Sequence, residues 1–358
     1  MDSFFKTEQS VWEFFKNSSK PVVLYGMGDG ADKVLSAFSR FGIEVSGVMA
    51  SDDFVRGQQF HGFTVKKQSD LERELGDFCV ALCFASQLPD VISHIKEVAA
   101  AHELRVPSVP AFGSVIFDRE FSEKYSGDIK SARSLLSDEL SVRVFDGVLR
   151  FYHSGELHLL DGITTDKDEA FYDILRLSDS ESYLDLGAYD GDTIREFLHY
   201  SGGGYKRITA LEPNAKNFSK LLRACSGMRD TQLLQLGAFD RDAVLFFNNK
   251  AGRNSAVAES GVETRVRAVD ELLGGESVSY VKADVEGADF EALTGMAKTI
   301  AAFRPKLNCS VYHRFEDIFR LPLLLKDLCP DYKLYLRHHP YIPAWDTNVY
   351  CVTESSKP

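Results

Sequence analysis

Between Tyr183 and Thr193 the chain reads YLDLGAYDGDT, an apolar run that passes straight into an acidic, glycine-rich turn. About twenty residues further on, a second apolar run, RITALEP, ends in Glu212. Two such runs, each closed by turn chemistry, read as neighbouring buried strands of an open α/β sheet. Gly187 and Gly191 lack β-carbons, which lets a ligand lie against the backbone. Glu212 ends the next strand where its carboxylate can accept two hydrogen bonds from ribose hydroxyls. Asp185 and Asp190 set the turn apart from a phosphate loop, since carboxylates repel a pyrophosphate and attract a ligand with a cationic amino-acid end. The plainer alternative is a strand-to-helix turn in which Asp190 caps helix amides, and Glu212 at its spacing weakens it.

The same alternation organises the rest of the chain. PVVLYGMG, GIEVSGVMA, CVALCFAS and RVPSVP read as strands separated by the helical stretches DKVLSAFSRF, SDLERELG and VISHIKEVAAAHEL. This predicts a smaller Rossmann-like α/β domain over residues 1–118. Residues 119–180, with KSARSLLSDELSVRVFDGVLRFY and DKDEAFYDILRL, read as a helical connector and lead-in. Residues 181–358 contain the second alternation: SYLDLGA, RITALEP, TQLLQLGAF, SYVKADV and KLNCSVYH, followed by YKLYLRHH and NVYCVT. PYIPAWDT between the last two is too short for a helical crossover, so they must form an antiparallel hairpin.

Charge and cysteine usage exclude several function classes. A net charge of −12 without a Lys/Arg cluster argues against a nucleic-acid partner, whose phosphates are held by clustered cations. No apolar run reaches the ~20 residues that span a bilayer, and MDSFFKTEQSVWEFF has neither the basic lead nor the cleavage site of a signal peptide, so the protein is expected in the cytoplasm with no membrane span. The six cysteines show no CxxC spacing and read as reduced core residues.

In an open parallel sheet, ligands sit beyond the carboxyl ends of the strands. The residues there are Asp185, Gly187 and Asp190, then Glu212, Ala238 and Asp240, Asp284 and Glu286, His313, and finally His338 and His339. AYDGDT, ALEPN, LGAFD, YVKADVEGADFEAL, RPKLNCSVYH and LYLRHH occur in an order and spacing that resembles the FkbM-type S-adenosylmethionine-dependent methyltransferases over about residues 160–352. The resemblance implies a class I methyltransferase Rossmann-like sheet with a C-terminal antiparallel hairpin. It also implies S-adenosyl-L-methionine as cofactor and transfer to a hydroxyl of a sugar, polyketide or other secondary metabolite. In similar enzymes the place of Glu212 binds the ribose, and that of Ala238 and Asp240 frames the adenine.

Transfer of methyl to oxygen asks the protein to hold donor and acceptor together and to accept a proton. His313, with an ordinary imidazole pKa of ~6.5, is the first candidate base, and a structural histidine is the alternative. Asp284 is a second candidate or a contact for the donor's amino group, and Glu286 is placed to orient either. The same three residues are a candidate divalent-cation site, although DVEGADFEAL also reads as a turn at Gly287 with Asp289 capping the next helix. Tyr341 and Trp345 are expected to stack on a sugar ring or to pack their own loop, with His338 or His339 contacting hydroxyls. Asn254 and Ser255 lie in a loop that reads as a pocket edge.

At the amino-terminal end, GMGDGA (Gly26, Gly28, Gly30, Ala31) followed by Asp52 admits a nucleotide site, but Asp29 falls in the would-be pyrophosphate loop. Recognition of the acceptor, including the nucleotide of an activated sugar, is the preferred role for this domain, with homo-oligomer assembly left open. Two other classes remain: a methyltransferase fold that binds a nucleotide-sugar without turnover, and an NAD-dependent oxidoreductase using GMGDGA.

Overall fold

Residues 4–247, 257–258 and 262–354 are described by the structure, a computed structural model. The amino-terminal sheet contains β1 (Val22–Tyr25), β2 (Gly47–Met49), β3 (Gln59–Phe60), β4 (Phe63–Lys66), β5 (Cys79–Leu82) and β6 (Glu103–Arg105), in the order β3-β4-β2-β1-β5-β6. VVLY and CVAL, buried at every position, form the two central strands, as a parallel sheet covered on both faces requires. Helices Asp29–Phe41, Gln68–Leu75 and Pro89–Ala101 make the crossovers. The β3–β4 hairpin was not legible, because QF and FTVK are short and mostly unburied. RVPSVP departs from the expected strand: pairing stops at Arg105, and Pro107 and Pro110 have no N–H to give to a ladder.

The connector stretch expected as one helix is two, Ser126–Ser134 and Glu139–Ser154. Asp138 breaks it by capping the second helix, its carboxylate accepting from Ser141 N at 2.7 Å.

The carboxyl-terminal half holds two sheets. The larger is built from β7 (Ser182–Leu186), β8 (Arg207–Leu211), β9 (Thr231–Leu234), β14 (Tyr280–Ala283), β15 (Lys306–Ser310), β16 (Lys333–His338) and β17 (Thr347–Val352). Its order is β16-β17-β15-β14-β7-β8-β9, parallel except that β17 runs antiparallel to both neighbours. The hairpin demanded by the short PYIPAWDT connection is therefore present. A smaller sheet, in the order β10-β13-β11-β12, contains β10 (Gly237–Phe239), β11 (Ala243–Phe247), β12 (Val257–Ala258) and β13 (Val262–Ala268). TQLLQLGAF is thus not one strand. It leaves the large sheet after Leu234, and GAF pairs with β13 instead.

The halves are joined by backbone pairing. Ser86 and Ile342 exchange hydrogen bonds of 2.8 and 3.0 Å, and Phe112 N donates to His313 O at 3.2 Å. Arg337, 2% exposed in β16, lies between the carboxylates of Asp138 and Glu169 and ties the connector to the sheet. All six cysteines are buried thiols. Among the described residues no helix is long and apolar enough to cross a membrane.

Candidate active site

Glu212 clasps the glycine turn. Its Oε2 accepts from Tyr189 N at 3.0 Å and its Oε1 from Asn214 N at 2.8 Å, so one carboxylate ties the turn after β7 to the turn after β8. Each oxygen keeps a further lone pair, which suits a pair of ribose hydroxyls. Burial pushes this carboxyl up to about 7 despite the two backbone donors. Tyr189, with φ 46°, holds the left-handed conformation inside the turn, a cost that folds retain mainly where a site requires it.

The glycines act differently from expectation. A β-carbon on Gly187 would fall 2.0 Å from the carbonyl oxygen of Asp284, and one on Gly191 would stand 3.2 Å from the Ala224 β-carbon. Their absence lets neighbouring backbone and helix close in, and in this way brings Asp284 against the turn. Gly187→Ala should cost about 2–4 kcal/mol, from the φ of 94° and the clash together, and calorimetric melting will read it.

Asp185 is corrected from a ligand contact to a brace beneath the turn. It is fully buried on the face shared with Tyr183, accepts from Thr193 Oγ1, and burial pushes its carboxyl up to about 7. Asp190 and Asp240 are partly exposed at the rim, beside Arg195 and Arg241 at 3.3 and 2.9 Å. Ala238 is buried in the small sheet.

Beside this turn lies a second group. His313 is 1% exposed; its Nδ1 donates to Asp289 Oδ2 at 2.7 Å and its Nε2 faces Asp284 Oδ1 at 3.1 Å, with Glu286 Oε2 at 3.8 Å. Burial opposes its charge, but Asp289 and Asp284 override it and hold the imidazole protonated well above its ordinary range. His313, expected as the base, thus has both ring nitrogens facing carboxylates, Asp289 at 2.7 Å and Asp284 at 3.1 Å. On the other side of Asp284, the buried Lys282 reaches its Oδ2 at 3.4 Å and Ser310 Oγ at 3.0 Å. Burial pushes Asp284 up, but Lys282 and His313 prevail and hold it well below the usual carboxylate range. Tyr312 Oη stands 3.5 Å from both Asp284 oxygens. Lys282 and Tyr312 were missed in the sequence, although a lysine inside the otherwise apolar run YVKADV was the available signal.

Among the described residues no group of three acidic, histidine or cysteine side chains is arranged to hold a divalent cation. Asp289 is corrected as a helix cap: Ala288 holds the N-cap position without a side-chain bond, and Asp289, the first helical residue, instead accepts from Val285 N at 3.1 Å and Gly287 N at 3.3 Å, holding the turn in which Glu286 adopts φ 54°.

His338 and His339 are corrected as acceptor contacts. His338 Nδ1 donates to Thr347 Oγ1 at 3.1 Å inside the fold, and burial lowers its pKa to about 3. His339 donates to Thr165 O at 3.0 Å and accepts from Tyr350 Oη at 2.7 Å. Tyr341 and Trp345 do reach a cavity, of about 360 Å³, between the two halves. Their rings are 5.8 Å apart, and Trp345 stacks with Tyr312 at 6.4 Å. Asn254 and Ser255 lie outside the described residues.

Residues 185–343 match the family described as Methyltransferase FkbM domain. The chain carries an FkbM-type methyltransferase domain. Its fold is similar to that of methyltransferase FkbM from Methylobacillus flagellatus KT, with a TM-score of 0.72 at 20% identity, covering 96% of this chain and 93% of that one. That likeness extends through the amino-terminal sheet as well as the FkbM domain. Fibrillarin from Aeropyrum pernix, in complex with natively bound S-adenosyl-L-methionine, scores 0.33 at 14% identity over 50% of this chain and 69% of that one. An rRNA methylase from Streptococcus thermophilus also scores 0.33 at 14% identity, over 52% and 93%. No curated protein sequence matches the chain.

Proposed function

We propose that the FkbM domain transfers the methyl group of S-adenosyl-L-methionine to a hydroxyl oxygen of a sugar, glycoconjugate or secondary metabolite. The observation that carries this reading is Asp284, an ionised carboxylate held between Lys282 and His313 and packed against the turn that Glu212 clasps. When bound, the sulfonium supplies an electrophilic methyl carbon; the acceptor oxygen forms the new C–O bond as the C–S bond breaks. Glu212 would hold the ribose hydroxyls, and the rim carboxylate of Asp190 would face the donor's cationic end.

Asp284 accepts the acceptor's hydroxyl proton. Its low basicity is no obstacle, because that proton becomes strongly acidic as the oxygen gains a methyl group. His313 is then a positioning residue that keeps Asp284 charged and aimed.

Asp284→Asn should lower kcat by about 100- to 1000-fold with little change in donor affinity, measured as release of S-adenosylhomocysteine in the presence of a hydroxylated acceptor. Turnover by the variant at the wild-type rate would remove Asp284 from the mechanism. The acid limb of donor binding should come from Glu212 instead. It keeps its proton up to about pH 7 in the folded protein, and the ionised form is the better acceptor of ribose hydroxyls. Affinity should therefore rise as pH increases from 6 to 8, by up to about tenfold per unit below the pKa, and level off above it. Titration calorimetry across that range checks the trend.

A further inference from the structure

The amino-terminal sheet is more than a support for the FkbM domain. At the carboxyl end of its strands lies the inter-half cavity of about 360 Å³, within the size range of small-ligand sites. One wall is Asp29, Lys33, Phe84 and the 106–111 strip; the facing wall is Tyr312, Tyr341 and Trp345. Tyr312 joins the cavity to the chemistry, since its ring lines the wall and its hydroxyl lies 3.5 Å from Asp284.

The GMGDGA turn beside this cavity admits a nucleotide in sequence, and the charges on the cavity walls argue against one. The charged groups on its walls are Asp29 and Lys33, and they are paired at 3.0 Å. Lys33 Nζ also donates to Ala111 O at 2.8 Å and to Pro110 O at 3.2 Å, so its three protons are committed and none is left for a phosphate. Asp29 places a carboxylate at the start of helix Asp29–Phe41, where a diphosphate would need to sit. Gly30 serves packing: a β-carbon there would fall 2.2 Å from the Cys83 carbonyl oxygen.

What the cavity does offer is a half-buried aromatic face and polar groups suited to hydroxyls. The stacked pair Tyr312–Trp345 presents flat rings of the kind that pack on the apolar face of a sugar. Ser108 also borders the cavity, is 5% exposed, and its Oγ has no hydrogen-bond partner in the protein. A buried hydroxyl without a partner costs stability unless a ligand or a water satisfies it.

We propose that this cavity is the acceptor chamber and that it takes a neutral glycosyl ring carrying no phosphate, stacked on Trp345 and hydrogen-bonded to Ser108. The inference rests on the methyl-transfer reading, because it supplies that reaction with its acceptor. It also gives the amino-terminal half a function, to choose the sugar and to exclude its nucleotide-activated form.

The test is saturation-transfer difference NMR on the full chain with S-adenosylhomocysteine present. The probes are methyl glycosides of gluco, galacto, manno and rhamno configuration, the matching sugar 1-phosphates and UDP-glucose. At least one methyl glycoside should bind through its ring protons. Ser108→Ala should weaken it about three- to tenfold and Trp345→Ala more than tenfold, with melting curves confirming that both variants fold. The phosphorylated sugars should bind more weakly than the neutral one, by about tenfold or more. Binding of a sugar 1-phosphate or of UDP-glucose as tight as that of the neutral glycoside, failure of every glycoside, or glycoside binding indifferent to both substitutions would each overturn the proposal. Binding of S-adenosylhomocysteine is recorded in the same samples: if it too is absent, the methyl-transfer reading fails, and if it persists, only the acceptor assignment does.

Discussion

Glu212→Ala is expected to weaken binding of S-adenosyl-L-methionine by at least about 100-fold while leaving thermal stability nearly unchanged. The loss follows from two hydrogen bonds between ribose hydroxyls and a carboxylate, each worth roughly 1.5–3 kcal/mol when one partner is charged. The small effect on stability follows from the raised pKa. A folded-state value of about 7 means that the fold disfavours the ionised carboxyl, so stability falls as pH rises from the usual carboxylate range through 7 and is constant above. Removing the group relieves that cost and offsets the loss of its bonds to Tyr189 N and Asn214 N. A residue that the fold tolerates rather than needs is the signature of a functional carboxylate. Titration calorimetry together with a melting curve reads both halves of the prediction. A variant with unchanged donor affinity would remove Glu212 from the donor site.

Asp289→Ala should do the opposite and damage the fold first. Asp289 is 1% exposed and pairs with the buried imidazolium of His313 while accepting from two backbone amides in the Val285–Gly287 turn. Taking one partner from a buried ion pair costs about 3–5 kcal/mol, because the other charge is left without compensation. The melting temperature should fall by roughly 5–15 °C for a chain of this size. The effect has a defined pH dependence. His313 has its folded pKa raised, so the stability it draws from its carboxylates is fully present below the unfolded value of ~6.5 and is lost only as pH rises through the higher folded value. The gap between wild type and variant should therefore be wide at pH 6, persist at neutral pH and narrow in alkaline solution. A melting temperature within 1 °C of wild type at pH 6 would contradict the buried-pair account.

Much of the fold was legible because its strands are fully buried and bounded by turn residues. VVLY, CVAL, SYLDL and KLNCS could be placed from apolar continuity alone, and the shortness of PYIPAWDT fixed the antiparallel end of the large sheet. The failures have local causes. LGAFD looked continuous with TQLL, but a change of sheet at Gln235 and Leu236 leaves no mark in hydrophobicity.

The candidate site divides in the same way. Glu212 and Asp284 were visible because strand ends are where ligands bind, and this needs only position along the chain. The state of His313 depends on Asp289 and Asp284 meeting both its nitrogens, a tertiary fact that spacing does not encode. His338 and His339 sit at a strand end like the others, yet their side chains are enclosed by Thr347, Thr165 and Tyr350. The Lys33 and Asp29 pair that neutralises the amino-terminal turn likewise appears only when the 110–111 carbonyls fold over it.

The central claim is that the turn after β7 binds a methyl donor. The most direct measurement is calorimetric titration of S-adenosyl-L-methionine and S-adenosylhomocysteine into the full chain at pH 8, with NAD titrated in parallel. The account predicts one site per chain for both sulfur ligands and no heat from NAD. Binding of NAD, with neither sulfur ligand bound, would contradict it and move the search to the Gly26–Gly30 turn.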